Sequence, residues 1–155
     1  MVEHVETVVR RAGRDDSATV ARLRHAWASE QVGRPLDDPS FDEVFEAWFD
    51  REHDQRVALL AEVEDRAVGM LNMLLFTRMP KPERPVSRWG YVANVYVDQA
   101  HRDRGVGAML LADCIAYARE HDFARLVLSP SERSMAFYER AGFGPATNLM
   151  VHNLS

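Results

Sequence analysis

The sequence predicts an α/β fold built on a mixed sheet, in the order β-α-α-β-β-β-α-β-α-β, and three observations carry that expectation. Residues 91–97, YVANVYV, are β-branched and aromatic with no breaker. A polar stretch then leads to Gly105, Gly107 and a long helix with apolar residues at helical spacing. A further strand, 124–129, follows that helix, so the two strands run parallel through a right-handed crossover. Upstream, 56–62 and 67–76 read as a hairpin around Val63, Glu64, Asp65 and Arg66.

Taken in order, 6–12 reads as the first strand. Asp15, Asp16 and Ser17 offer N-caps to a helix through Val20, Leu23 and Trp27 that stops before Gly33 and Pro35. Residues 41–49 make a second helix with Phe41, Val44, Phe45, Trp48 and Phe49 on one stripe. Its other face is acidic: Asp37, Asp38, Asp42, Glu43, Glu46, Asp50, Glu52 and Asp54 stand against Arg51 alone. This is either an ordinary solvated face or an acidic lip that draws a cationic amine.

After the hairpin, 77–88 holds three prolines and four basic residues and cannot be strand throughout. It reads as a long loop beside the site, whether a substrate lid, part of a homodimer interface or a plain connection. The composition of 91–97 suits a strand buried on both faces, and the helix that follows runs over 108–118. Pro130 stops the strand 124–129, a helix spans 131–141 and closes at Gly142, and 146–154 supplies a final strand.

Composition fits one domain over 1–155. At 155 residues, 46% hydrophobic and 28% charged, the chain can bury one sizeable core and is short for two. A net charge of −5 argues against a dedicated nucleic-acid binder. Cys114 is the one cysteine, which excludes an intramolecular disulfide; its place on a helical apolar face suits a buried structural thiol. No apolar run reaches the ~18 residues a membrane span needs, and the charged N-terminus lacks a signal-peptide core, so a cytoplasmic protein with no membrane partner is expected.

The chemistry is concentrated where strand 91–97 turns into its helix. Gly105 and Gly107 open the helix without β-carbons that would block approach to its backbone. The unpaired amides of the first turn, the helix dipole, and the full charges of Arg102 and Arg104 suit an anion, a pyrophosphate above all. A bare strand-to-helix turn that needs small residues is the competing reading. Neither a P-loop nor a dinucleotide fingerprint fits, since no Gly-Lys-Ser/Thr follows and no third glycine comes after Gly107.

With Arg102-Asp103-Arg104-Gly105-Val106-Gly107 placed after the strand, the chain resembles the GNAT superfamily of acyl-CoA-dependent N-acyltransferases, whose signature is Gln/Arg-x-x-Gly-x-Gly/Ala. Residues 134–143, SMAFYERAGF, resemble its second motif, A-x-x-F-Y-x-x-x-G-F, with Ser134 in place of the usual alanine. The resemblance covers about 7–154. It implies acetyl-CoA as co-substrate, a small-molecule amine as acceptor and no metal. The pantetheine arm would lie between two splayed parallel strands on the backbone of Asn94, Val95, Tyr96 and Val97. The diphosphate would fall on Arg102, Asp103, Arg104, Gly105, Val106, Gly107 and Ala108, with Ser131 and Ser134 nearby. Ser131 stands where the family often has an asparagine that bonds the pantetheine.

The resemblance also makes Tyr138 the general acid that protonates the departing thiolate, with a backbone N–H near Val95 as oxyanion donor. The base is open. Histone-acetylating relatives carry a glutamate at the position of Tyr91, which argues against a protein-lysine acetyltransferase of that subgroup. Glu30, His25, His152 or a water held by Asn94 and Tyr96 are the alternatives. The resemblance leaves two classes of function: an N-acetyltransferase, or a non-catalytic acyl-CoA-binding or regulatory domain.

Overall fold

The computed structural model describes residues 5–155, so any reading of positions 1–4 falls outside it. Five strands form one sheet in the order β1-β2-β3-β4-β5: β1 (Thr7–Arg11), β2 (Arg56–Val63), β3 (Arg66–Thr77), β4 (Arg88–Val97) and β5 (Leu126–Val127). Neighbours pair antiparallel through β4, and β4 pairs parallel with β5. The helices are α1 (Ser17–Val32), α2 (Phe41–Glu52), α3 (Val106–Glu120) and α4 (Met135–Arg140).

The two-residue period of the strands divides the core into two layers. On β2, Val57, Leu59 and Ala61 face Leu110, Leu111 and Cys114 of α3, whereas Leu60 faces Val20, Leu23, Phe45 and Phe49 of α1 and α2. Helices thus cover both faces. The hairpin of β2 and β3 turns through Glu64 and Asp65, whose φ values of 51° and 61° match the mirror-image turn that suits strand twist.

Several expectations change in the fold. Val44 is 63% exposed, because the buried stripe of α2 is narrower than the apolar one. In β4 only Gly90, Val92 and Tyr96 are buried, so the strand is half-buried. Its register with β3 slips between Asn72 and Met73: Asn72 opposes Asn94 while Met73 opposes Val92, so Ala93 is the extra residue of a β-bulge. Pairing with β5 covers only Gly90–Leu126 and Tyr91–Val127, which shortens the strand expected over 124–129 to two residues. β4 then leaves its partner. The helix expected over 131–141 begins at Met135, because Ser131 and Ser134 tie the chain into a turn ahead of it.

The strand expected over 146–154 does not form. That segment is exposed and irregular, with Met150, Val151 and Leu154 at 101%, 84% and 92% exposure. A strand needs an edge, and a two-residue β5 offers too few ladder bonds to hold one. Residues 78–87 are irregular as expected, joined across their base by Arg78 N–H to Ser87 O at 2.9 Å.

Candidate functional site

Past Tyr91 the two parallel strands diverge, and the opening is a cleft of about 930 Å3. One wall is β4, through Val95 and Val97; another is the start of α3, through Gly105, Val106, Gly107 and Ala108; Ser134 and Phe137 of α4 close the third. Gly105 caps α3 with φ 80°, a left-handed conformation in which a side chain is strained. Its carbonyl takes the first helical bond, from Met109 N–H at 3.0 Å, so the amides of Val106, Gly107 and Ala108 have no intrahelical partner. A β-carbon on Gly107 would stand 3.4 Å from the Phe137 ring and 3.8 Å from Val97, across the mouth of the cleft.

Arg102 and Asp103 also line this cleft, but Arg102 is not free to serve it with its guanidinium. Its Nε donates to Val97 O at 2.9 Å and its head pairs with Glu30 of α1. Tyr96 donates its hydroxyl to the same carboxylate at 2.6 Å and stacks on Trp27, with ring centroids 5.6 Å apart. Burial and then the bond to Glu30 push the Tyr96 phenol up to about 12. For Glu30, desolvation pulls upward, yet the bonds from Tyr96 and Arg102 outweigh it and hold the carboxyl below its ordinary range. Glu30 is therefore a clamp, poorly suited to accept a proton.

The other residues singled out by sequence scatter. Arg104 is exposed and outside the cleft lining. Asn94 turns to the opposite face of the sheet, where its side-chain oxygen accepts from Asn72 Nδ2 at 3.1 Å. Ser131 spends its hydroxyl on Ser134, 2.9 Å away. Tyr138 sits on α4 with its ring edge-on to Phe137 and Phe143; its hydroxyl has no hydrogen bond among the described residues, and desolvation raises its pKa. His25 bonds Leu36 O at 2.8 Å and His152 lies in the exposed tail, so neither is poised as a base. Cys114 is wholly buried and its thiol is pushed up to about 12, as a structural cysteine should be.

A second space lies on the other face of β4, an open-sided cavity of about 430 Å3 between the sheet and the α1–α2 pair. Aromatic rings of α2 form one side, and Asn72, Ala93 and Asn94 form its floor at the bulge. Arg24, Glu52, His53 and Arg56 enter it. Sequence reasoning missed these four as a set, since they come from α1, the end of α2 and the start of β2. A signal was present, because all follow or interrupt the apolar stripe of the helix pair. The acidic face of α2 lies elsewhere: of its carboxylates only Glu52 reaches the cavity, and Asp50 and Asp54 pair with Arg14.

The model of the acetyltransferase (GNAT) family matches residues 20–143, a span that contains both motifs and both spaces. The chain belongs to that family. Glucosamine 6-phosphate N-acetyltransferase of Trypanosoma brucei brucei is 31% identical over 78 residues; the match takes in 50% of this chain and 51% of the relative, about half the length of each. Among solved structures, a predicted acetyltransferase of Clostridium acetobutylicum with acetyl-CoA superposes with a TM-score of 0.75 at 18% identity, over 96% of this chain and 97% of that one. Glucosamine-6-phosphate N-acetyltransferase of Arabidopsis thaliana superposes at 0.70 and 17% identity, over 97% and 99%. At those identities the GNAT fold is what is shared. No helix among the described residues is long and apolar enough to cross a membrane, and no cluster of three or more His, Cys, Asp or Glu among them could hold a metal ion.

Proposed function

We propose that this GNAT chain transfers the acetyl group of acetyl-CoA to the primary amine of a small molecule, by direct attack in a ternary complex. One observation carries the reading: the freed edge of β4 is flanked by the amide-rich mouth of α3 on one face and an aromatic-walled cavity on the other. The residues fit the co-substrate. Three unpaired amides at the positive end of α3 suit a diphosphate, Gly107 keeps that approach open, and the β4 edge has free backbone groups for the amides of a pantetheine.

Acetyl-CoA supplies a thioester carbonyl that an amine can attack. The amine nitrogen forms the new C–N bond, the C–S bond breaks, the ammonium proton leaves to a base, and the thiolate takes a proton. Tyr138 gives that last proton: its phenol is protonated at neutral pH and its raised pKa keeps it so. The bulge at Ala93 re-aims β4 backbone where a developing oxyanion needs an N–H. Glu52 and His53 are the cavity's carboxylate and imidazole; they stand at its Arg56 end and can receive the amine's proton through water.

A non-catalytic acyl-CoA-binding role draws support from the engagement of Glu30 and His25 and the exposure of His152. Glu52 and His53 in the cavity weigh against it. The test is thiol release from acetyl-CoA with a panel of amines. Amine-dependent release supports transfer, and acetyl-CoA binding without release for any amine favours the binding role.

A further inference from the structure

The cavity has a chemical character of its own that narrows the acceptor. Phe41, Phe45, Trp48 and Phe49 wall it from α2, with Met70 across from them on β3. That aromatic wall gives no hydrogen-bond partner to hydroxyls laid against it, which disfavours a polyhydroxylated body on this side of the cavity. Flat apolar bodies suit it instead, through offset or edge-on ring contacts.

Two guanidiniums reach into that apolar setting. Arg56 lies 4.9 Å over the Trp48 ring, and its Nε is buried with no hydrogen-bond partner among the described residues. That Nε forms an ion pair with Glu52 at 3.9 Å, a distance too long for a hydrogen bond, so its N–H donor stays unused. Arg24 lies 4.8 Å over Trp27. Stacked guanidiniums keep their in-plane N–H donors available, and an orphaned buried donor beside a cavity is the signature of an absent acceptor. With one carboxylate, Glu52, against two arginines, the cavity favours an anion rather than a second cation.

Position then sets the spacing. Arg56 begins β2, whereas the amine must approach the bulge at Ala93 on β4. The two lie two strands apart, roughly 10 Å between backbones. An amine and an anionic group on adjacent carbons cannot serve both ends with the same ease as two groups held apart by a rigid spacer.

We propose that the acceptor is an aryl-bearing amine that carries an anionic oxygen group, carboxylate or phosphate, at the end of the ring system remote from its primary amine. The aryl body lies against Phe45, Trp48 and Phe49, the anion takes Arg56 with Arg24, and the amine is presented at Ala93 and Asn94. This rests on the acetyl-transfer reading for the fate of the amine, but not for binding.

The experiment is calorimetric titration of the protein, without coenzyme, with 4-(aminomethyl)benzoate, benzylamine, 4-(aminomethyl)phenyl phosphate and glucosamine 6-phosphate. The anionic aryl amines are expected to bind at least 10-fold more tightly than benzylamine and than glucosamine 6-phosphate; the tighter of the two anions identifies carboxylate or phosphate. In Arg56→Gln that advantage over benzylamine is expected to vanish while benzylamine affinity holds. Arg24→Gln provides the same comparison should Arg56→Gln fail to fold. Benzylamine or the sugar phosphate matching or exceeding both aryl anions would overturn the proposal. So would an undiminished preference in a folded arginine variant. Binding as expected without acetyl transfer sinks the transferase reading alone, and transfer to other amines without aryl-anion binding sinks this inference alone.

Discussion

Tyr96 of β4 donates its hydroxyl to Glu30 of α1 at 2.6 Å, and the carboxylate that accepts it also holds Arg102. The contact joins the helix that roofs the cavity to the loop that opens the cleft. Glu30 is a clamped carboxylate with a lowered pKa, so its stabilising contribution is complete above the ordinary value of 4.5 and is lost as pH falls below that value through the folded one. Glu30→Gln should therefore flatten the acid limb of the stability curve below about pH 4.5 and leave the neutral-to-alkaline slope unchanged. Urea midpoints measured from pH 3 to 8 check it; an unaltered acid limb would remove the clamp from the stability account.

At the mouth of α3, Gly105→Val forces a branched side chain into φ 80°, and Gly107→Val drives methyl groups past the 3.4 Å contact with Phe137. Acetyl-CoA at ~100 times its dissociation constant should raise the stability of the parent protein by about 2.7 kcal/mol. Both variants should lose that shift. Thermal melts with and without the ligand give the answer, and a folded variant with full affinity would refute the cradle.

Both arginines are exposed, but Arg102 is committed to Glu30 and Val97, whereas Arg104 has no side-chain partner among the described residues. Arg104→Gln should weaken acetyl-CoA in a salt-dependent way, through loss of an exposed charge near phosphates, and leave acetyl-pantetheine untouched. Arg102→Gln should weaken both, because it loosens the loop itself. Isothermal titration of the two ligands at two ionic strengths separates these outcomes; identical profiles for the two variants would contradict them.

Tyr138→Phe should lower kcat by roughly 10²-fold or more with acetyl-CoA affinity nearly intact. The ring contacts with Phe137 and Phe143 survive the change, so a structural role alone would cost little. Because desolvation raises the phenol above its ordinary value of 10.0, Tyr138-dependent turnover should stay level through pH 9 and fall only beyond pH 10. That alkaline limb should be absent from the variant. A variant at parent rate, where chemistry limits turnover, would excuse Tyr138.

Leu110 is fully buried between α3 and the sheet, so Leu110→Ala should cost about 2–5 kcal/mol, whereas Val44→Ala, at an exposed site on α2, should change stability by less than about 0.5 kcal/mol. Chemical denaturation of both variants tests the division of the apolar residues between core and surface.

Residue pattern alone was enough for the elements whose signals are local. The end of α1 before Gly33, the start of α2 at Phe41, the Glu64–Asp65 turn and the Gly105–Gly107 opening of α3 depend on neighbours a few positions away, and each formed where expected. The two motifs sufficed for the family. Tertiary structure alone decided what depended on edges and on distant partners. Residues 146–154 have the composition of a strand, but strand pairing requires a facing ladder, which β5 is too short to provide. Arg102 carries a phosphate-binding charge in sequence, yet 72 positions separate it from the Glu30 that engages it, a pairing no local pattern encodes. The cavity formed by Arg24, Trp48, Arg56 and Asn94 has the same origin: it exists because two helices and three strands meet there, and burial, not sequence spacing, brings the Arg56 guanidinium over the Trp48 ring.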